Sequence, residues 1–384
     1  MATQSSVRIN NQQLIIDYLI ENGETSRADL SKILKISKPT VSLNAEKLLE
    51  QKILLEVGEG HSSGGRKPTL LSFNFDYKII VAIDLNRNQP VIALSNLSGK
   101  LLYSTRLEMK VTESKPFLIQ RLTTSINELI TSHQYKLESL GAISIAIPGV
   151  IDDINDKIFA NPQDNLWTDL NLKKVLKEIY HVPVMMRNDV SMAALGEHHY
   201  GQGKSYDDLM FVSAGHGIGA GLIVNGDLLK GKRNFAGEIG FTRIGGSKSL
   251  EETIGSSVLV EKIKQEVEAG HITKIDDTPH ELTLSEIVKA INKKDEYLIG
   301  LIEEAGQLLG YAISNIAVVL DLETVILGGA LCGLGDTFIG KIKETVNTTV
   351  PFELECQVSS LGQEAGIYGL LVVGKTYIMS QLIE

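Results

Sequence analysis

Residues 26–52 read SRADLSKILKISKPTVSLNAEKLLEQK, two short amphipathic stretches on either side of the pair Lys35-Ile36. Ser26 followed by Asp29 forms a capping-box-like start, and Leu30, Ile33 and Leu34 recur at helical spacing, which predicts a helix with those three facing inward. Ser37 is a good N-cap. Pro39 falls in the first turn after it, where a missing N–H costs nothing, so a second helix starts there. Its buried stripe is Val41, Ala45, Leu48 and Leu49, which turns Thr40, Leu43, Asn44 and Lys47 outward. Upstream, Asn11–Asn22 reads as a further helix, with Leu14, Ile15, Tyr18 and Leu19 at the same spacing and Gly23 as its stop.

Three helices with a tight turn before the last form a helix-turn-helix, whose outward face is the candidate reader of a double-stranded DNA operator. Its candidate contacts are Ser37, Lys38, Thr40, Ser42, Leu43, Asn44 and Lys47. Lys38 and Lys47 suit phosphates, Asn44 suits an adenine edge in the major groove, and Leu43 suits a thymine methyl. The competing reading is a solvated helix of a small bundle. Ile53–Val57 and Thr69–Phe73 follow as two strand-like runs around the tip GEGHSSGGRKP (58–68), a candidate wing. Arg66 and Lys67 at that tip are candidates for an adjacent minor groove. The same stretch also suits a flexible linker, and the two readings are compatible.

Charge separates this head from the rest. Of the 37 Lys+Arg and 47 Asp+Glu in the chain, residues 1–72 hold nine and eight, leaving 28 and 39 for the remainder. An acidic body is repelled by DNA, which confines any DNA contact to the head. The 384 residues, 43% hydrophobic and 22% charged, suit an α/β protein of two or three domains rather than a disordered chain. No apolar run is long enough to span a bilayer, and MATQSSVRINNQQ lacks the apolar core of a signal peptide, so a cytoplasmic protein without membrane contact is expected. Cys332 and Cys356, the two cysteines, fit a reducing compartment and read as packing residues.

From Tyr77 the pattern becomes KIIVAIDL (78–85) and VIALSNLSGKLL (91–102), two strands with an Asn/Ser/Gly turn. GAISIAIPG (141–149), VPVMMRND (182–189), DDLMFVSAGHGIGAGLIVNGDLL (207–229) and TVILGGAL (324–331) follow. They alternate with helical segments such as Asp169–Tyr180 and Ser191–Tyr200. Two copies of a strand-rich α/β unit are implied, with Asn225-Gly226 as a two-residue hairpin turn. Asn188-Asp189 ends one strand and precedes a helix, where side chains emerge at an α/β crevice. Carboxamides and carboxylates there pair with the hydroxyls of a small sugar; equally, Asn and Asp serve as helix N-caps, and the two roles coexist.

The chain resembles the ROK proteins (repressors, open reading frames and sugar kinases), and among them the winged-helix repressors of the xylose-repressor type. The resemblance rests on the head together with GGRKP (64–68), IPGVID (147–152), NLW (165–167), NDVSMAALGE (188–197), GHGIGAGLIVNGDLLKG (215–231), AGEIG (236–240) and VILGGAL (325–331). It implies an α/β chain with an N-terminal winged helix-turn-helix (1–74) and a two-lobed actin/hexokinase-like body (75–189 and 190–384), the last helix packing back on the first lobe. By resemblance Asn165, Asn188, Asp189, Glu238 and Glu251 match sugar ligands, and in the family's kinases the residue matching Asp189 takes the proton of the sugar hydroxyl. The LEET around Glu251 lacks the aromatic and small residues that usually follow in the family.

Two departures bear on activity. The family's kinases end their first strand in a Gly-Gly-Thr phosphate loop, whereas Asp84 is followed here by Leu85-Asn86-Arg87-Asn88-Gln89, with no glycine to let backbone wrap a phosphate. Gly215–Gly221 then reads as a tight turn or hinge. Most members hold a zinc through a histidine after AGEIG and three nearby cysteines; here that position is Phe241 and TRIGGSKSLEET (242–253) has no cysteine. His198-His199 is no substitute, because adjacent helical residues diverge by about 100°. Neither a metal nor another cofactor is expected. The expected function is non-enzymatic: a repressor that binds a palindromic operator as a dimer, or a tetramer built from dimers, and is released by a sugar such as xylose. A residual sugar kinase and a ligand-independent DNA-binding protein with a decayed pocket are the alternatives.

Overall fold

The computed structural model describes residues 4–59, 67–85, 90–108, 115–152, 157–159, 171–275 and 282–383 of the chain. The head runs α1 (Gln4–Asn22), β1 (Thr25–Ser26), α2 (Arg27–Leu34), α3 (Lys38–Glu50), β2 (Leu54–Glu59) and β3 (Thr69–Phe73). Ser26 caps α2 by accepting from the Asp29 N–H at 3.2 Å, and its hydroxyl donates to Asp29 Oδ2 at 2.7 Å. Lys35 closes that helix in the left-handed region with φ 55°. Ser37 caps α3, accepting from the Thr40 N–H at 3.3 Å. The strands form an antiparallel sheet in the order β1-β3-β2, with a register shift between Glu56 and Gly58 that sharpens the local twist.

Three expectations for the head are corrected. The first helix begins at Gln4 rather than Asn11. Ile33 is 50% exposed instead of facing inward, so Leu30 alone anchors α2 deeply. Asn44 is 2% exposed rather than turned outward; it stands three residues after Val41, on the same side of the helix.

The body begins with β4 (Ile79–Asp84), β5 (Val91–Asn96), β6 (Leu101–Arg106), α4 (Lys115–Ser132), β7 (Leu140–Ile147), β8 (Val150–Asp152), β9 (Lys157–Phe159), α5 (Leu172–Tyr180) and β10 (Val184–Asn188). It continues with α6 (Asp189–Tyr200), β11 (Leu209–Ala214), β12 (Ile218–Val224), β13 (Asp227–Leu228), α7 (Leu250–Ile254), α8 (Ser256–Glu268), α9 (Leu284–Asn292) and α10 (Glu296–Leu320). The chain then forms β14 (Thr324–Gly328), α11 (Asp336–Thr349), β15 (Glu355–Val358) and α12 (Ala365–Gln381).

The first sheet has the order β10-β7-β4-β5-β6 and the second β13-β12-β11-β14-β15. In each, the first strand pairs antiparallel with the second and parallel with the fourth, so one topology occurs twice. Asn225 and Gly226 turn β12 into β13 with φ of 53° and 77°, both positive as a type I′ hairpin requires. The inner strands β4 and β14 are buried along their whole length, the pattern of strands covered on both faces.

Two helices connect the halves. Helix α6 lies on β11 and β12 of the second sheet, while α12, the last helix, returns to β4 and β7 of the first. They cross in backbone contact: a Cβ on Gly196 would meet the Ala365 carbonyl oxygen, and one on Gly369 the Met192 carbonyl oxygen. The second sheet has its own core with α8, α10 and α11, through residues such as Met210, Ile263, Leu309 and Phe338. The head does not. Ile15, Leu19, Leu48, Leu71 and Phe73 belong to one apolar cluster with Ile80 and Ala82 of β4 and Leu370, Leu371 and Ile378 of α12. Among the described residues no helix is long and apolar enough to cross a membrane.

Candidate functional sites: a DNA-binding face and an acidic cleft

On α3, Ser37, Lys38, Ser42 and Leu43 are exposed, Thr40 and Lys47 are half-buried, and Asn44 is buried. The Ser37 and Thr40 hydroxyls stand 2.8 Å apart at the helix start, where backbone N–H groups and partial positive charge favour a phosphate. Leu43 is 55% exposed, an apolar side chain left in water at the centre of the face. Asn44 is occupied internally: its amide donates to the Thr40 carbonyl at 2.8 Å, so it is withdrawn from the surface on which a base would lie. In the wing, Lys67 is exposed and 3.6 Å from Glu59. Arg66 lies outside the described residues.

In the body, Asn188 and Asp189 stand at the junction of β10 and α6. Asn188 caps α6 through Oδ1, which accepts from the Ser191 N–H at 2.8 Å, and its amide donates to the Gly149 carbonyl at 3.1 Å. Its amide also lies 3.2 Å from Asp189 Oδ1, which accepts from the Val190 N–H at 2.9 Å. The capping role is therefore present, and it orients the pair toward the ends of the parallel strands. Glu251, in the first turn of α7, accepts from the Ile218 N–H at 3.0 Å and so fixes α7 to the start of β12.

Glu238 follows Gly237, whose φ of +90° and contact with the Ala220 carbonyl leave no room for a side chain. Burial, then the negative charges of Asp189 and Glu251, push the Glu238 carboxyl up to about 7. Glu238, Asp189 and Glu251 thus form one acidic group drawn from three separate elements. A carboxyl poised near 7 passes between an acceptor-only carboxylate and a protonated form that also donates, and a hydroxyl can pair with either. Asn165 lies outside the described residues.

One further residue, Asp84, joins this region without having been assigned to it from the sequence. Asp84 ends β4, buried, and a Cβ on Gly366 in the first turn of α12 would lie 3.1 Å from its Oδ2 and 3.9 Å from the Asp189 carbonyl. In the sequence Asp84 is marked only as a carboxylate closing an apolar strand, just before the segment where the family's kinases carry a phosphate loop. Glu197, at the far end of α6, is completely buried; it accepts from Ser359 Oγ at 2.5 Å, from the Leu361 N–H at 3.1 Å and from the Gln202 N–H at 2.9 Å. That carboxylate ties the end of α6 to the segment leading into α12.

Phe241 is 69% exposed beyond this group. His198 and His199 make an edge-to-face ring pair with centroids 5.1 Å apart, and among the described residues no cluster of three or more His, Cys, Asp or Glu is arranged to hold a metal ion.

The ROK family model matches residues 80–376. The chain belongs to the ROK family. A xylose repressor from Caldicellulosiruptor bescii is 28% identical over 391 residues, covering 97% of this chain and 97% of its own. A xylose repressor from Bacillus subtilis is 29% identical over 382 residues, with 96% of each chain covered. The DNA-binding transcriptional dual regulator NagC of Escherichia coli K12 is 25% identical over 351 residues, covering 88% of this chain and 84% of NagC. Among solved structures, a ROK family transcriptional regulator homologous to the E. coli MLC protein superposes with a TM-score of 0.79 at 22% identity, over 99% of this chain and 98% of its own. A ROK glucokinase from Streptomyces griseus, solved with glucose and AMPPNP, has a TM-score of 0.66 at 20% identity and covers 78% of this chain and 99% of its own. These structures establish the fold: a mixed α/β ROK chain with an actin-like two-lobed body.

Proposed function

We propose that the protein is a sugar-responsive transcriptional repressor that binds a two-fold operator as a homodimer and is released by a small sugar of the xylose type. One observation carries it: the repressors align over 96–97% of this chain, head included, whereas the glucokinase structure is used up over 78%. The extra length is the helix-turn-helix and wing. A single helix in one groove gives weak binding, and symmetric half-sites match a symmetric dimer.

The division into a head (1–74) and two lobes (75–189 and 190–384) is part of this proposal. In this reading the head, whose apolar cluster continues into β4 and α12, moves with the first lobe, while the second lobe holds a core of its own. A sugar between Asn188, Asp189, Glu238 and Glu251 draws the second lobe toward the first about the α6–α12 crossing, and in a dimer that rotation changes the distance between heads. The sugar shifts this equilibrium only by its differential affinity for the open and closed forms. Phosphoryl transfer is not proposed, since residues 85–89 offer no glycine for a phosphate cradle. Its DNA target places the protein in the cytoplasm.

Thermal melting with D-xylose, D-glucose and N-acetylglucosamine tests the sensor half. A bound sugar at 100 times its dissociation constant adds about 2.7 kcal/mol to the folded state, so one of the three should raise Tm and the others not. No shift with any pentose, hexose or amino sugar would contradict the proposal.

A further inference from the structure

The loop between β13 and the AGEIG segment contains Asn234, held in the left-handed region with φ 56°. Its side-chain amide donates to the backbone carbonyl of Ile151 at 2.7 Å, across 83 residues of sequence. Ile151 belongs to β8, and its side chain sits in the apolar core under the first sheet, with Leu172 and Val184. Asn234 belongs to the second lobe, four residues before Glu238. The bond therefore runs from the loop that presents an acidic cleft residue to a strand anchored in the opposite lobe. A second amide acts on the same strand entrance: Asn188 donates to the Gly149 carbonyl at 3.1 Å. Carbonyls 149 and 151 are thus each held by an asparagine, one from each side of the cleft.

We propose that Asn234 is a positioning residue for the sugar response, a latch that holds the β8–β9 hairpin of the first lobe against the Glu238 loop of the second. Its consequence for sugar binding rests on the proposed function; the latch itself does not. With the bond formed, Glu238 and Asn188 keep a fixed separation. With it broken, the hairpin and the loop part, and the cleft opens on that side. The geometry sets a strict chemical requirement: the group at 234 must donate to a carbonyl and must tolerate positive φ, and asparagine satisfies both.

Two substitutions separate the bond from the turn. Asn234→Gly keeps the positive φ and removes the donor; Asn234→Asp keeps the shape and turns an oxygen toward the Ile151 carbonyl. Hydrogen–deuterium exchange of the full-length protein without ligand should show the amides of Val150–Asp152 exchanging about fivefold faster in Asn234→Gly, as loss of one net hydrogen bond implies, and faster still in Asn234→Asp. Exchange at the wild-type rate in Asn234→Gly overturns the latch, because a residue that only shapes its own turn is replaced by glycine without effect. Far-UV circular dichroism confirms that both variants fold. A D-xylose titration followed by the fluorescence of Trp167, the one tryptophan in the chain, then reads the consequence: affinity about fivefold weaker in Asn234→Gly, and weaker again in Asn234→Asp. Equal affinity in all three proteins removes Asn234 from the sugar response. A wild-type protein that ignores D-xylose counts against the proposed effector, while the exchange result still decides the latch.

Discussion

Asp189, in the first turn of α6, acts electrostatically on Glu238, in the loop after β13: its negative charge adds to burial in pushing the Glu238 carboxyl up to about 7. Two carboxylates in one partly dry space do not both ionise freely. A ligand bearing many hydroxyls relieves this by donating to both.

That relationship gives a pH dependence with a definite sign. Glu238 titrates above its ordinary value of 4.5 in the folded protein, so its contribution favours folding most below about pH 4.5 and is lost as pH rises through about 7. Sugar binding should run the other way, since a hydroxyl donates more strongly to the ionised carboxylate. Sugar affinity is expected to rise several-fold between pH 6 and pH 8, and Glu238→Gln to flatten the profile; calorimetric titrations at the two pH values measure it.

Lys38 is exposed at the start of α3, and in the proposed complex it contacts a phosphate. Lys38→Ala should weaken operator and unrelated DNA alike and reduce the slope of log K against log salt by about 1. Leu43→Ala should instead lower the preference for operator over unrelated DNA with no change in that slope. Fluorescence anisotropy across a salt series distinguishes the two.

Asn44 should behave as a core residue. Asn44→Ala removes the bond to the Thr40 carbonyl and leaves space beside Val41 and Leu48, so it is expected to destabilise the head by about 1–2 kcal/mol. At a temperature where the head remains folded, its ranking of operator sequences should match the wild type. A change in the preferred base would restore Asn44 to the reading face.

The α6–α12 crossing leaves no volume at Gly369. Gly369→Ala places a methyl against the Met192 carbonyl and should cost about 1–3 kcal/mol, seen as a lower urea midpoint. In the proposed mechanism the same crossing is the pivot between lobes, so this variant should also lose sugar-dependent release before it loses DNA binding.

Local rules made the head legible. Ser26 and Ser37 cap their helices through bonds spanning three residues, which a single sequence displays directly. Asn44 was misplaced because its polarity outweighed its angular position beside Val41, and Ile33 because its apolarity did the reverse. In the body, the Asn225-Gly226 turn and the Asn188-Asp189 junction were legible for the same local reason. The partners of Glu197 and Asn234 were not, since Ser359 and Ile151 lie 162 and 83 residues away and a single chain carries no mark of such pairing. Glu238, Asp189 and Glu251 were named individually through family resemblance; their mutual electrostatic effect appears only once three elements are brought together.

The most direct measurement is an anisotropy titration of the full-length protein on DNA from upstream of its own gene, with and without saturating D-xylose and a panel of other sugars. A sugar-responsive repressor binds tightly and in proportion to two protomers per site, and one sugar raises the apparent Kd by at least tenfold. Tight binding that no sugar alters, or no preference for that DNA over an unrelated fragment, would contradict the central claim.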